Sequence, residues 1–183
     1  MPRVLITGTS SGFGLSIAVE LAKSGWQVVA TMRDTTKRAA LDRALQAAGV
    51  AKDVDVSQLD VTDIQSIDRA VAALDLPNRG LDAVVHNAGV AVGGAFEDLD
   101  DASIRRIMEV NYFGVLALTK RLLPTFRAQR RGRIVVISSE SAFAGQLALE
   151  LSKSAGRAAA DGFAKQWIAT ASSRVIRNAT VTP

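Results

Sequence analysis

No cysteine occurs anywhere in the chain, which excludes disulfides, thiolate metal sites and a cysteine nucleophile together. A reducing, cytoplasmic compartment fits that composition, and no metal site is expected. Long hydrophobic runs are missing too. The N-terminus, MPRVLITGTSSGFG, holds one short apolar run before Thr7 and Gly8, too short for a signal-peptide core or a membrane span. No membrane partner is therefore expected. Aromatic residues make up 5% of the chain, and none interleaves with the basic run RAQRRGR from Arg127 to Arg133. The net charge of +4 thus lacks the stacking platform of a nucleic-acid surface. Such a run at a helix end instead neutralises unpaired carbonyls and faces water.

What is present is ordinary for a globular protein. Hydrophobic residues account for 48% and charged residues for 22% of the 183 positions, which favours one compact domain over residues 1–183 and argues against disorder or a fibrous fold. Short β-rich runs alternate with helical stretches. RVLIT (Arg3 to Thr7), QVVATM (Gln27 to Met32), Asp53 to Leu59, LDAVVH (Leu81 to His86), RIVVIS (Arg133 to Ser138) and Arg174 to Val181 read as six strands. Helices are expected over Gly12 to Ser24, Asp34 to Ala48, Thr62 to Leu74, Ala102 to Ala128 with a bend near Pro124, and Ser152 to Thr170. The alternation predicts an α/β fold, a three-layer, doubly wound parallel sheet of the Rossmann kind, with ligands beyond the carboxyl ends of its strands.

The first strand runs straight into Gly8, Thr9, Ser10, Ser11, Gly12, Phe13 and Gly14, and a helix opens there. Glycine allows positive φ and close backbone approach, while free N–H groups and the helix dipole favour an anionic pyrophosphate. The spacing is G-x-x-x-G-x-G. Further on come LDVTD (Leu59 to Asp63), HNAG (His86 to Gly89), VNYFG (Val110 to Gly114) and GRIVVISS (Gly132 to Ser139). Taken in this order, the set resembles the short-chain dehydrogenase/reductase family.

That resemblance implies an oxidoreductase passing hydride between a nicotinamide cofactor and a small carbonyl or alcohol substrate. It implies cofactor contacts from Gly8, Ser10, Ser11, Gly12, Phe13, Gly14, Asn87, Ala88 and Gly89, with Asp60 and Val61 at the adenine. It places the active-site asparagine at Asn111 and the active-site serine at Ser139. Arg33 closes the second strand, where an acidic residue would bind the ribose hydroxyls of NAD and an arginine would accept the 2′-phosphate of NADP. NADP is the expected cofactor. The resemblance also implies a homo-oligomer, a dimer or tetramer built across the two long helices.

Two features depart from the family pattern. Its Tyr-x-x-x-Lys pair supplies the proton donor and the ribose contact, yet the single tyrosine here, Tyr112, follows Asn111. Aligning Lys153 to Ala164 with the family's Y-x-A-S-K-A-A-x-x-G-F-A segment puts Lys153 at the tyrosine position and Arg157 at the lysine position. A second register puts Leu149 there and loses the Gly162 match. The seventh strand of the family is also missing, and Val181, Thr182 and Pro183 stand where a substrate loop would begin. Both departures follow Gln146, and one cause is expected for both: truncation, an altered reading frame, or divergence of a non-catalytic relative. The expectation that follows is an oxidoreductase with a compromised proton relay; the alternative is an inactive nucleotide-binding module.

Overall fold

The computed structural model describes residues 1–91 and 99–137. Strand β1 (Arg3–Thr7) leads into helix α1 (Gly12–Lys23), then come β2 (Gln27–Met32), α2 (Ala39–Ala47) and β3 (Val54–Gln58). Helices α3 (Ile64–Ala73) and α4 (Leu76–Arg79) precede β4 (Ala83–His86); α5 (Asp101–Met108), a π-helical turn (Glu109–Phe113), α6 (Gly114–Gln129) and β5 (Arg133–Val136) complete the described elements. The five strands are ordered β3-β2-β1-β4-β5 and all pair in parallel. This is the doubly wound sheet expected from the alternation of strands and helices. The predicted helix from Ser152 and strand from Arg174 lie outside the described residues.

The central strands are apolar on both faces because helices cover both, as a parallel sheet requires. All five residues of β1 are buried. Leu5, Val29 and Val84 pack on one side with Ile67, Leu118, Leu122 and Phe126; Val4, Ile6, Val28 and Ala30 pack on the other with Ala18, Ala22, Leu41 and Leu45. Side chains alternate across a strand, so neighbouring β1 residues feed opposite layers. Asp34 and Asp63 begin their helical segments as expected, each carboxylate accepting the N–H two residues on, Thr36 at 3.0 Å and Gln65 at 2.8 Å.

The long helical stretch differs from expectation in where it is interrupted. It stays α-helical through Pro124, and the break falls at the π-turn around Asn111. Leu122 and Phe126, on either side of Pro124, are almost fully buried and hold the helix in place. A further difference is at β4, which starts at Ala83 rather than Leu81. The side-chain amide of Gln129 occupies Leu81, accepting its N–H at 3.0 Å and donating to its carbonyl at 2.7 Å.

The amino-terminal edge of the sheet is closed by structural contacts. The Arg3 guanidinium donates to the carbonyls of Leu74 at 2.6 Å and Gly80 at 3.2 Å, while the Asp82 carboxylate takes the Arg3 N–H and pairs with Arg131. The basic run thus sits at the end of α6, remote from the carboxyl ends of the strands. Those ends carry the candidate site.

Candidate functional site

The chain winds outward from β1 through β2 to β3, then returns to β4 on the other side of β1. The carboxyl ends of β1 and β4 therefore lie side by side with their connections leaving in opposite directions, the crevice where open α/β sheets bind ligands. Thr7 ends one strand and His86 the other.

Between them the polar groups are tightly matched. The buried Thr7 hydroxyl accepts the main-chain N–H of Asn87 at 3.0 Å and of Ala88 at 2.9 Å. The Asn87 side-chain amide donates back to the carbonyls of Thr7 at 3.0 Å and Gly8 at 2.9 Å. On the other flank, Thr9 donates its N–H and its hydroxyl to the Thr31 carbonyl at 3.0 and 3.1 Å, and the Thr31 hydroxyl donates to Ile6 at 2.9 Å. Sequence reading placed Asn87 at a ligand; in the structure its amide also secures the glycine loop. The three threonines were missed, since a threonine in a strand or the loop after it carries no signal until its neighbours are known.

The glycines have separate reasons. A Cβ on Gly14 would lie 2.3 Å from both the Gly8 carbonyl oxygen and the Asn87 side-chain nitrogen, so the first turn of α1 is pressed directly against the loop. Gly8 has φ +73° and its Cβ would meet the Ala88 backbone at 2.8 Å. A Cβ on Gly12 would meet nothing within 4 Å, although its φ of +58° still favours glycine. The loop is thus sealed against protein at Gly8 and Gly14 and open at Gly12. Ser11 precedes the helix in extended conformation without a side-chain cap, and the initial N–H groups of an α-helix have no intrahelical partner. Phe13 is 77% exposed beside them. This open, uncapped helix start fits the pyrophosphate of a dinucleotide.

The expected adenine and ribose positions flank that crevice. Arg33 follows β2 and is exposed; the neighbouring Asp34 carboxylate is engaged by the Thr36 hydroxyl at 2.6 Å and its N–H at 3.0 Å. Those two hydrogen bonds hold the Asp34 carboxyl below the usual carboxylate range. Among the described residues no ion pair joins Arg33 to Asp34. One oxygen of Asp60 accepts from the Thr62 N–H at 2.9 Å and hydroxyl at 2.7 Å. Val61 is buried, and a Cβ on Gly114 would meet its carbonyl oxygen at 2.8 Å, so the glycine lets α6 approach the segment after β3.

Asn111 sits in the π-turn. Its side chain makes a two-way bridge, accepting the Val90 N–H at 2.9 Å and donating to the Val90 carbonyl at 2.8 Å. Val90 directly follows Gly89, so this bridge brings the expected active-site asparagine to the chain leaving β4. Tyr112, the next residue, has its ring edge-on to Phe113 with centroids 4.9 Å apart. Ser139, Lys153 and Arg157 lie outside the described residues. Nearby His86 is buried, and its Nε2 pairs with the Thr119 hydroxyl of α6 at 2.9 Å. Burial pushes its imidazole down to about 4, which keeps it neutral at physiological pH.

Comparison with known proteins agrees with this arrangement. The family model for short chain dehydrogenases matches residues 2–183. Retinol dehydrogenase 8 from Bos taurus is 38% identical over 166 residues, covering 88% of this chain and 52% of the relative. An uncharacterized oxidoreductase of Bacillus subtilis is 40% identical over 148 residues, 79% of this chain and 51% of its own length. The chain spans about half the length of these curated relatives. Among solved structures, an actinorhodin polyketide ketoreductase variant with NADPH superposes with a TM-score of 0.77 at 30% identity, covering 98% of this chain and 66% of that one. No helix among the described residues is long and apolar enough to cross a membrane.

Proposed function

Because the chain belongs to the short-chain dehydrogenase/reductase family, whose members are oxidoreductases, we propose that it binds NADP(H) and interconverts a small carbonyl compound and its alcohol. The single observation that carries this reading is the open helix start at Gly12, held against the β4 exit by Asn87. Bound there, the nicotinamide would supply or accept the hydride.

The chain's own residues divide the remaining work. Ser10, Ser11, Gly12 and Phe13 present N–H groups to the pyrophosphate, while Gly8 and Gly14 allow the loop to close. Asp60 and Val61 border the adenine, and Arg33 meets the 2′-phosphate. Asn87, Ala88 and Gly89 shape the wall beside the nicotinamide ribose. Asn111 holds a water near the reacting oxygen, Ser139 orients the carbonyl, and Lys153 and Arg157 take the proton-donor and ribose roles. A lysine acid works here only if the neighbouring Arg157 charge lowers its pKa. The names of several relatives, a retinol dehydrogenase among them, support an alcohol or ketone substrate. Two-fold self-association through the long helical stretch of α5 and α6 and the expected helix Ser152 to Thr170 is part of the same proposal.

A second reading is favoured by the position of the only tyrosine, Tyr112, in the π-turn. On that reading the chain is a nucleotide-binding module without a proton relay. Titration of NADPH fluorescence followed by a panel of aldehydes and ketones separates the two. Binding with turnover that is lost in Lys153→Ala supports the enzyme. Binding without oxidation supports the module, and failure to bind NADPH refutes both.

A further inference from the structure

His86 takes no part in the scheme above, although it is almost fully buried and lies one residue before Asn87. Its Nε2 meets the Thr119 hydroxyl at 2.9 Å, a contact between the end of β4 and the second turn of α6. Asn111, eight residues before Thr119, makes a second polar contact of this helical stretch with the chain leaving β4, through Val90. In an uninterrupted α-helix, side chains eight residues apart are offset by about 80° around the axis. They cannot both point squarely at one strand end. The i→i+5 turn at Glu109–Phe113 takes up an extra residue and reduces that offset, which lets Asn111 and Thr119 face the β4 exit together.

We propose that His86 is a positioning residue: with the apolar face of α6 already seated in the core by Leu118, Leu122 and Phe126, its hold on Thr119 fixes the phase of the first turns of α6, and so keeps Asn111 seated on Val90. The reasoning is mechanical. A π-turn is an irregular piece of helix whose phase is set by what anchors it on either side. On the amino side α5 begins at the Asp100 cap. On the carboxyl side the nearest polar anchor to the sheet among the described residues is the His86–Thr119 pair, one residue from the Asn87 amide that secures the glycine loop. Neutral imidazole and hydroxyl can each donate or accept, so the pair is satisfied without burying a charge. The bearing of this device on catalysis rests on the proposed role of Asn111, but the geometry does not.

Amide hydrogen exchange on the full chain, without cofactor, tests it. The Val90 N–H donates to Asn111, whereas the Leu5 and Val84 amides report the sheet core. Thr119→Val should speed Val90 exchange roughly tenfold with Leu5 and Val84 little changed, His86→Ala should speed Val90 more than it speeds those core amides, and Thr119→Ser, which keeps the hydroxyl, should restore the wild-type rate. Unchanged Val90 exchange in Thr119→Val would overturn the proposal. So would equal acceleration at Val90, Leu5 and Val84, which would make the pair merely structural. If His86→Ala does not fold, the Thr119 pair of variants decides alone. A separate NADPH titration of the wild type tests the functional reading, and its failure would leave the exchange result standing.

Discussion

Thr7 and Asn87 hold each other twice: the threonine hydroxyl accepts the asparagine main-chain N–H at 3.0 Å, and the asparagine amide donates to the threonine carbonyl at the same distance. The two residues stand at the ends of adjacent strands and are 80 positions apart in the chain. Their reciprocity closes the crevice floor on which the glycine loop rests.

Thr7→Val keeps the shape of the side chain and removes the acceptor for two N–H groups, those of Asn87 and Ala88. Leaving these two partly buried donors unpaired should cost about 2–4 kcal/mol, read as a lower urea midpoint at unchanged slope. Thr7→Ser retains the oxygen and should lose no more than about 1 kcal/mol.

Two alanine substitutions in the loop should behave differently. The Gly14→Ala methyl would fall 2.3 Å from the Gly8 oxygen and the Asn87 amide, so the loop must shift; NADPH affinity should fall at least roughly a hundredfold. Gly12→Ala meets no protein atom, but its φ of +58° disfavours a side chain, and a stability loss of about 1–2 kcal/mol is expected. Isothermal titration with thermal melts of both variants provides the check. Wild-type NADPH binding by Gly14→Ala would remove the loop from the site.

Arg33 controls cofactor preference in the proposed function. Replacing it with aspartate should weaken NADPH relative to NADH by about tenfold or more, through loss of a charge-assisted contact and repulsion of the 2′-phosphate. The measurement is the ratio of the two dissociation constants in wild type and variant. An unchanged ratio would mean that Arg33 is a surface charge only.

The only histidine of the chain, His86, allows an unambiguous pH experiment. Burial lowers its pKa from 6.5 to about 4, so the unfolded chain takes up the proton more readily than the folded one. The stability linked to this group is therefore complete above about pH 6.5, declines as pH falls toward 4, and levels off below that; the total is about 3 kcal/mol. The imidazole resonances should not titrate between pH 7 and 5, and His86→Gln should flatten this part of the stability profile. A titration midpoint near 6.5 would contradict the burial argument.

The glycine loop, the five described strands and the helix starts near Asp34 and Thr62 were legible in the linear order of residues because each depends on near neighbours: apolar alternation, a helix start, a turn. Family resemblance was legible for the same reason, as local motifs kept in order. The long helix shows where such reading stops. Pro124 is a local signal for a bend, yet Leu122 and Phe126 on either side are locked in the core and the helix continues. The interruption falls instead at Asn111, whose amide engages Val90, 21 residues earlier in the chain.

By itself the sequence determined the strand and helix periods, the position of the glycine loop and the absence of a tyrosine at the expected place. Tertiary structure alone decided that Thr7 meets Asn87, that Thr9 and Thr31 pin the loop, that Gly114 makes room for Val61, and that His86 meets Thr119. Each of those contacts joins elements brought together only by the strand order β3-β2-β1-β4-β5. Strand order follows from burying every helix face against one shared sheet, a condition that no local stretch of residues can satisfy alone.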